Sequence, residues 1–253
     1  MTDLQKPGFG KRIMAAIFDG ILAATLAVGL AALLSFCFGY DAQVEHYSEI
    51  MSGYEQRYEV DFEASTEDMT DAELSSYQEK MDSAYAAMRQ DTEFTTLYSK
   101  LSNMRMMVLS FGLLGAVLVM ELLIPLFFGN GQTLGKKIFG IGLMHIEGIR
   151  ITGKQVFIRA ILGKYSVELM LPIYILLMTL TGGLGIIGWA LLAVLLIAQI
   201  VCLVITRTNA PIHDILASTV VVDIASQQIF EDMEDRENYI KAVHAERAAR
   251  ADY

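Results

Sequence analysis

GFGKRIMAAIFDGILAATLAVGLAALLSFCF, residues Gly8–Phe38, decides the fold. A short basic head, Gly8-Phe9-Gly10-Lys11-Arg12, runs into Ile13–Phe38, which is long enough to cross a bilayer as a helix. That run holds one charge, Asp19, seven residues after Arg12. The spacing is two helical turns, so both side chains fall on one face. An aspartate inside a spanning helix costs about 2.5–3.5 kcal/mol on insertion scales. It persists where it faces other helices or water, and it marks a functional site by default. The run is about twice the usual apolar core of a signal peptide, and no small-x-small cleavage site follows it. It reads as an uncleaved anchor.

Of the 253 residues, 54% are hydrophobic and the net charge is −10. That balance suits several spanning helices plus a sizeable wet part. The charge is unevenly placed. Asp41–Ser102 carries fifteen acidic residues against four basic ones, whereas Gly129–Lys164 carries Glu147 alone against Lys136, Lys137, Arg150, Lys154, Arg159 and Lys164. Lysine and arginine mark the cytoplasmic side, so both the amino terminus and Gly129–Lys164 are expected inside and the acidic block outside. Cys37 and Cys202 lie in apolar runs and read as small core residues rather than a disulfide framework.

The acidic block has helical order. Val44, Tyr47, Met51, Tyr54 and Tyr58 step by three and four, as do Leu74, Tyr77, Met81, Tyr85 and Met88. Thr70 and Glu73 fit a capping box, and Val60–Ser65 lacks the period. The expectation is a helical hairpin whose seam holds the tyrosines, with a partner-binding surface as the alternative use for them.

Met104–Phe128 is the expected second span, bent or ended by Pro125 and carrying Glu121 at a depth like that of Asp19. Two readings of Glu121 stand: a carboxylate paired with a nearby Arg or Lys that fixes packing, or a titrating group on an ion or proton path. The stretch Gly129-Asn130-Gly131-Gln132-Thr133-Leu134-Gly135-Lys136-Lys137 only imitates a phosphate loop. Asn130 stands where glycine is needed and Lys137 where Ser or Thr is needed. Its glycines and lysines are expected to set a tight re-entry at the headgroups. Ile141–Ile146 and Ile149–Thr152 read as a small β-hairpin around Glu147-Gly148. Thr152 and Gln155 make a capping box for an amphipathic helix through about Leu162, whose Lys154, Arg159 and Lys164 are expected against anionic headgroups.

Tyr165–Ile205 is forty-one residues, too long for one crossing. Thr181-Gly182-Gly183-Leu184-Gly185 splits it into a third span, Tyr165–Leu180, with Glu168 near its inner end, and a fourth, Ile186–Ile205. Val220–Val222 offers a further strand to the inner hairpin. The tail from Ser226 is charged and alternating. The fold class is therefore an all-α polytopic membrane protein: four transmembrane helices, an extracytoplasmic helical hairpin and a small cytoplasmic β-hairpin. Its parts are residues 1–40, 41–102, 103–222 and 223–253, with both termini cytoplasmic in the cell membrane. No nucleophile–base pair, metal set or cofactor loop is visible, so neither an enzyme nor a cofactor is expected. No nucleic acid partner is expected either.

The chain resembles the RDD family of bacterial membrane proteins, named for an arginine and two aspartates. Gly8–Arg12 through Asp19-Gly20 resembles its opening, Gly131–Ile141 its inner-loop motif, Gln155–Arg159 its next basic patch, and His213–Thr219 its closing motif. The resemblance puts the namesake positions at Arg12, Asp19 and Asp214, and the inner-loop motif at Gly131, Gln132, Thr133, Gly135 and Lys136. The hairpin Asp41–Ser102 departs from it, since a typical member has a shorter loop there. A transport role is commonly supposed for the family, with cation/proton antiport proposed for some members. Arg12, Asp19, Glu121, Glu168 and Asp214 are thus the candidate ion or proton site. The expected partners are the bilayer, a monovalent cation or proton, and a second copy of the chain. The alternative is a non-transporting scaffold that recruits a partner through the hairpin or tail.

Overall fold

In hydrocarbon every backbone N–H and C=O must bond within its own segment, so long apolar runs become helices. The computed structural model describes residues 4–67 and 69–251. The chain runs as α1 (Phe9–Phe38), α2 (Tyr40–Tyr58), α3 (Asp71–Gln90), α4 (Thr92–Phe128), α5 (Leu134–Ile138), β1 (Ile141–His145), α6 (Gly153–Leu180), α7 (Gly185–Ile205), α8 (Ile212–Leu216), β2 (Thr219–Asp223) and α9 (Met233–Ala251). Four of these, α1, α4, α6 and α7, are long and apolar enough to cross a membrane. Their apolar faces stay open: Phe127, Ile186 and Val204 are all exposed. Such surface suits lipid rather than water.

The chain forms two compact units, Gly29–Gly112 and the remainder. In the first, Gly39 adopts a left-handed conformation (φ 64°) between α1 and α2. The capping box expected at Thr70 and Glu73 starts α3. Tyr54 is buried and donates its hydroxyl to Asp91 at 2.7 Å, while its ring meets Tyr58 and Phe94. Val44 and Tyr85 stay exposed, so the seam is narrower than the full heptad row.

In the second unit the core gathers around a two-stranded antiparallel sheet, with Leu143 of β1 opposite Val221 of β2. Successive strand residues face opposite ways. Ile141, Leu143 and Val221 pack with Ala15, Ile151 and Val156, while Met144, Val220 and Val222 form the other layer. The expected hairpin is corrected here. Ile149–Thr152 is not the partner of β1. The turn closes with Gly148 N–H on the His145 carbonyl at 2.8 Å, and Ile149 then bridges in parallel to Phe230. Val220–Val222 offers apolar side chains to both faces, and both faces of this sheet are buried.

The third span is also longer than expected. The capping box of Thr152 and Gln155 opens α6 itself, so the amphipathic stretch and the span are one helix from Gly153 to Leu180. Two segments widen to π-helix, Leu118–Leu123 in α4 and Ile158–Met170 in α6. Each runs up to a proline, Pro125 or Pro172. Proline lacks an N–H and its ring crowds the carbonyl four residues back. A wider turn relieves both problems, and such turns recur at functional sites.

Candidate functional site

Asp19 faces inward from α1, 7% exposed. It accepts the Thr133 hydroxyl and, at 2.7 Å, the backbone N–H of Gly135. Thr133 caps α5 and also accepts from Lys136 N–H. The carboxylate thus fastens the inner-loop motif to α1. Gly135 must be glycine for this: a Cβ there would lie 2.5 Å from the Ala15 carbonyl oxygen and 2.9 Å from Asp19 Cγ. Gly131 holds a left-handed turn (φ 68°), and Gln132 donates to the Ile141 carbonyl at 2.8 Å, tying the motif to β1.

Arg159 is the hub of a second, buried set. Its Nε donates to Asp214 Oδ1 at 2.6 Å, Nη1 donates to Glu121 Oε2 at 3.1 Å, and Nη2 lies 3.0 Å from His213 Nε2. Lys164 closes on the other oxygen of Glu121. Arg159 and Lys164 are five residues apart, which an α-helix would turn away from each other by about 140°. The π-helical stretch, with its longer turn, brings both to one carboxylate. Thr219 Oγ1 donates to Asp214 Oδ1 at 3.0 Å. His213 Nδ1 meets Glu168 at 2.8 Å, and its backbone N–H donates to the same carboxylate at 3.2 Å. Gly163 lets α8 approach α6: a Cβ on it would lie 2.5 Å from His213 Cβ.

Lys136 is also buried, at 8% exposure. Its Nζ and Oδ2 of Asp214 are two of the three buried side-chain polar atoms without a hydrogen-bond partner among the described residues. Lys136 lies within the fields of Arg159, Glu121, Lys164 and Asp214. Burial first, and then the neighbouring Arg159 and Lys164 charges, push its pKa down to about 7, against the opposing pull of Glu121 and Asp214. Burial works against the Asp214 charge, but Arg159 above all holds its carboxyl well below the usual range. Burial lowers the pKa of His213, helped by Arg159 and Lys164 and opposed by Asp214 and Glu168.

The expected site residues therefore fall into distinct sets. Arg12 donates to the Asn209 carbonyl at 2.7 Å rather than sharing a partner with Asp19. Asp19 joins Thr133 and Gly135, Glu121 and Asp214 share Arg159, and Glu168 holds His213. Arg159, Lys164 and Lys136 correct the headgroup expectation for the basic inner segment: Arg159 and Lys136 are buried among other side chains and the partly buried Lys164 pairs with Glu121, whereas Lys137 and Lys154 remain exposed. The sequence marks His213 only as the start of the closing motif, and nothing in it marks Gly163. The signal available for His213 was its place beside Asp214 in the closing motif.

These features define an integral membrane protein with four apolar helices and a buried network of ion pairs joining α4, α6 and α8. The RDD family profile matches residues 6–218, and the chain belongs to the RDD family. Searches of the curated proteins and of the solved structures found no match.

Proposed function

We propose that the protein sits in the cell membrane with both termini cytoplasmic and exchanges a monovalent cation for a proton through the buried network around Arg159. One observation carries this reading. Lys136, buried close to the charges of Arg159, Lys164, Glu121 and Asp214, has no hydrogen-bond partner for its Nζ, while Arg159 and Lys164 are each paired with a carboxylate. A purely structural clamp gains nothing from an unpaired buried charge, which costs several kcal/mol on an order-of-magnitude scale. A group that loses its charge during a cycle does have a use for that setting. The exposed Lys137, Arg150 and Lys154 support contact with anionic headgroups on the cytoplasmic side. The reading is of a carrier rather than an enzyme.

The test is uptake of labelled Na⁺, K⁺ or Li⁺ into sealed vesicles loaded with acid. Uptake driven by the proton gradient and lost in Asp214→Asn supports exchange. Uptake indifferent to the gradient counts against it.

A scaffold reading has its own support. Asp19, Glu121 and Glu168 are each already held by protein donors, α3 starts on its own capping box, and Tyr47 and Tyr54 of α2 pack on Phe94 of α4. Deleting residues 41–102 separates the two: a carrier keeps its transport, whereas a scaffold working through the hairpin loses its function.

A further inference from the structure

The carboxylates are the obvious proton carriers in such a network, yet the geometry leaves them little to do. Glu121 is held by Arg159 and Lys164 together, and Asp214 by Arg159 and Thr219 through Oδ1. Glu168 accepts from the ring and the backbone of His213. Protonating any of them would break a charge-assisted bond inside the protein. Lys136 differs because its Nζ is tied to nothing. Its backbone is fixed, since the Thr133 hydroxyl and Gly135 N–H are both fastened to Asp19.

We infer that Lys136 is the group in this network that gives up and takes back the proton, while Glu121, Asp214 and Glu168 stay ionised, and that the open Oδ2 of Asp214 receives the protonated amine. As the carrier step of exchange this rests on the transport reading; as a titration it stands without it. On release an N–H bond of the ammonium breaks, its electron pair stays on Nζ, and the proton passes to water. The groups facing Lys136 set the balance. Glu121 from α4 and Asp214 from α8 favour the charged form, while Arg159 and Lys164 from α6 oppose it. Asp19 of α1 bonds the residues on either side of Leu134, just before Lys136 in the same motif. Lys137 on the same short helix turns to the Phe128 ring, 3.7 Å from its centroid. The shift of Lys136 to about 7 agrees with this assignment, as an exposed lysine titrates near 10.

The test uses full-length protein carrying ¹⁵N at the lysine Nζ, in lipid nanodiscs, with pH varied from 5 to about 10. One lysine resonance is expected to titrate near 7 and to be missing from Lys136→Arg. If every lysine stays protonated through pH 9, the inference is overturned. In vesicles, Lys136→Arg and Lys136→Met should insert and elute as the parent does and lose cation-driven proton movement, with Lys241→Gln on the exposed tail helix as the control. Equal transport by Lys136→Arg would overturn the inference while leaving the transport reading intact. A titrating Lys136 in a parent protein that moves no cation would overturn the transport reading and leave the titration standing.

Discussion

Nη2 of Arg159 lies 3.0 Å from Nε2 of His213, and this contact fixes the state of the ring. A guanidinium can only donate, so Nε2 accepts. The ring proton must then sit on Nδ1, where Glu168 receives it at 2.8 Å. His213 is neutral in this arrangement, in one defined tautomer. Protonating it would point an N–H at a guanidinium.

Acid should therefore loosen this end of the molecule. The folded pKa of His213 is lowered, mainly by burial, below its unfolded value of about 6.5. Between those two values the unfolded chain binds more protons, so stability falls as pH drops below roughly 6.5. Melting in detergent micelles across that range, compared between the parent and His213→Gln, should show a smaller acid loss in the variant. Ring ¹⁵N shifts of the parent at neutral pH should report the Nδ1–H tautomer.

Lys136 predicts a slope of the same sign at higher pH. Its folded value of about 7 lies below the unfolded value of about 10.4. Within that window the unfolded chain holds the extra proton, so this residue makes stability rise with pH, by up to ~1.4 kcal/mol per unit. Below the window both states are protonated and the slope vanishes. Lys136→Met should flatten the rise, read as the difference in melting temperature between variant and parent from neutral to alkaline pH.

Removing the hub should be costly. Arg159→Met takes the charge partner from Asp214 outright and leaves Glu121 with Lys164 alone. Breaking a buried pair from one side costs about 3–5 kcal/mol. A loss of thermal stability on that scale is expected. Arg159→Lys should rescue little of it, because an ammonium cannot meet Asp214, Glu121 and His213 along three fixed directions.

Gly163→Ala tests the close approach of α8 to α6. The new methyl would have to push back His213, at an expected cost of about 1–3 kcal/mol for overpacking. Gly10→Ala, whose Cβ would meet nothing within 4 Å, should be neutral or slightly stabilising. Parallel melts of the two variants check this directly.

The spans, their number and the Thr70 and Thr152 capping boxes could be read from hydropathy and from residue types at fixed spacing. All of these are local properties. The strands Ile141–His145 and Val220–Val222 were legible too, but their direct pairing in place of Ile149–Thr152 was not, because it depends on packing between distant segments. The π-helical stretches leave no trace in a period count, and with them went the shared grip of Arg159 and Lys164 on Glu121. Arg159 itself resembles a headgroup anchor from the sequence, since it is a basic residue ahead of an apolar run. Its burial arises from Glu121 and Asp214, which reach it from α4 and α8. The carboxylates Asp19, Glu121, Glu168 and Asp214 stand out in the sequence as charges in or beside apolar runs, and pairing of Glu121 with a nearby Arg or Lys is legible there too; that one arginine, Arg159, holds both Glu121 and Asp214 is not, because it depends on packing between distant segments.

Exchange through Lys136 is read most directly as internal pH in sealed vesicles holding the purified protein and a trapped pH dye. On adding Na⁺, K⁺ or Li⁺ outside, the interior should turn alkaline as cations enter and protons leave, and Lys136→Arg should abolish the change. An interior pH that does not respond to any of the three cations, with correct insertion confirmed, would contradict it.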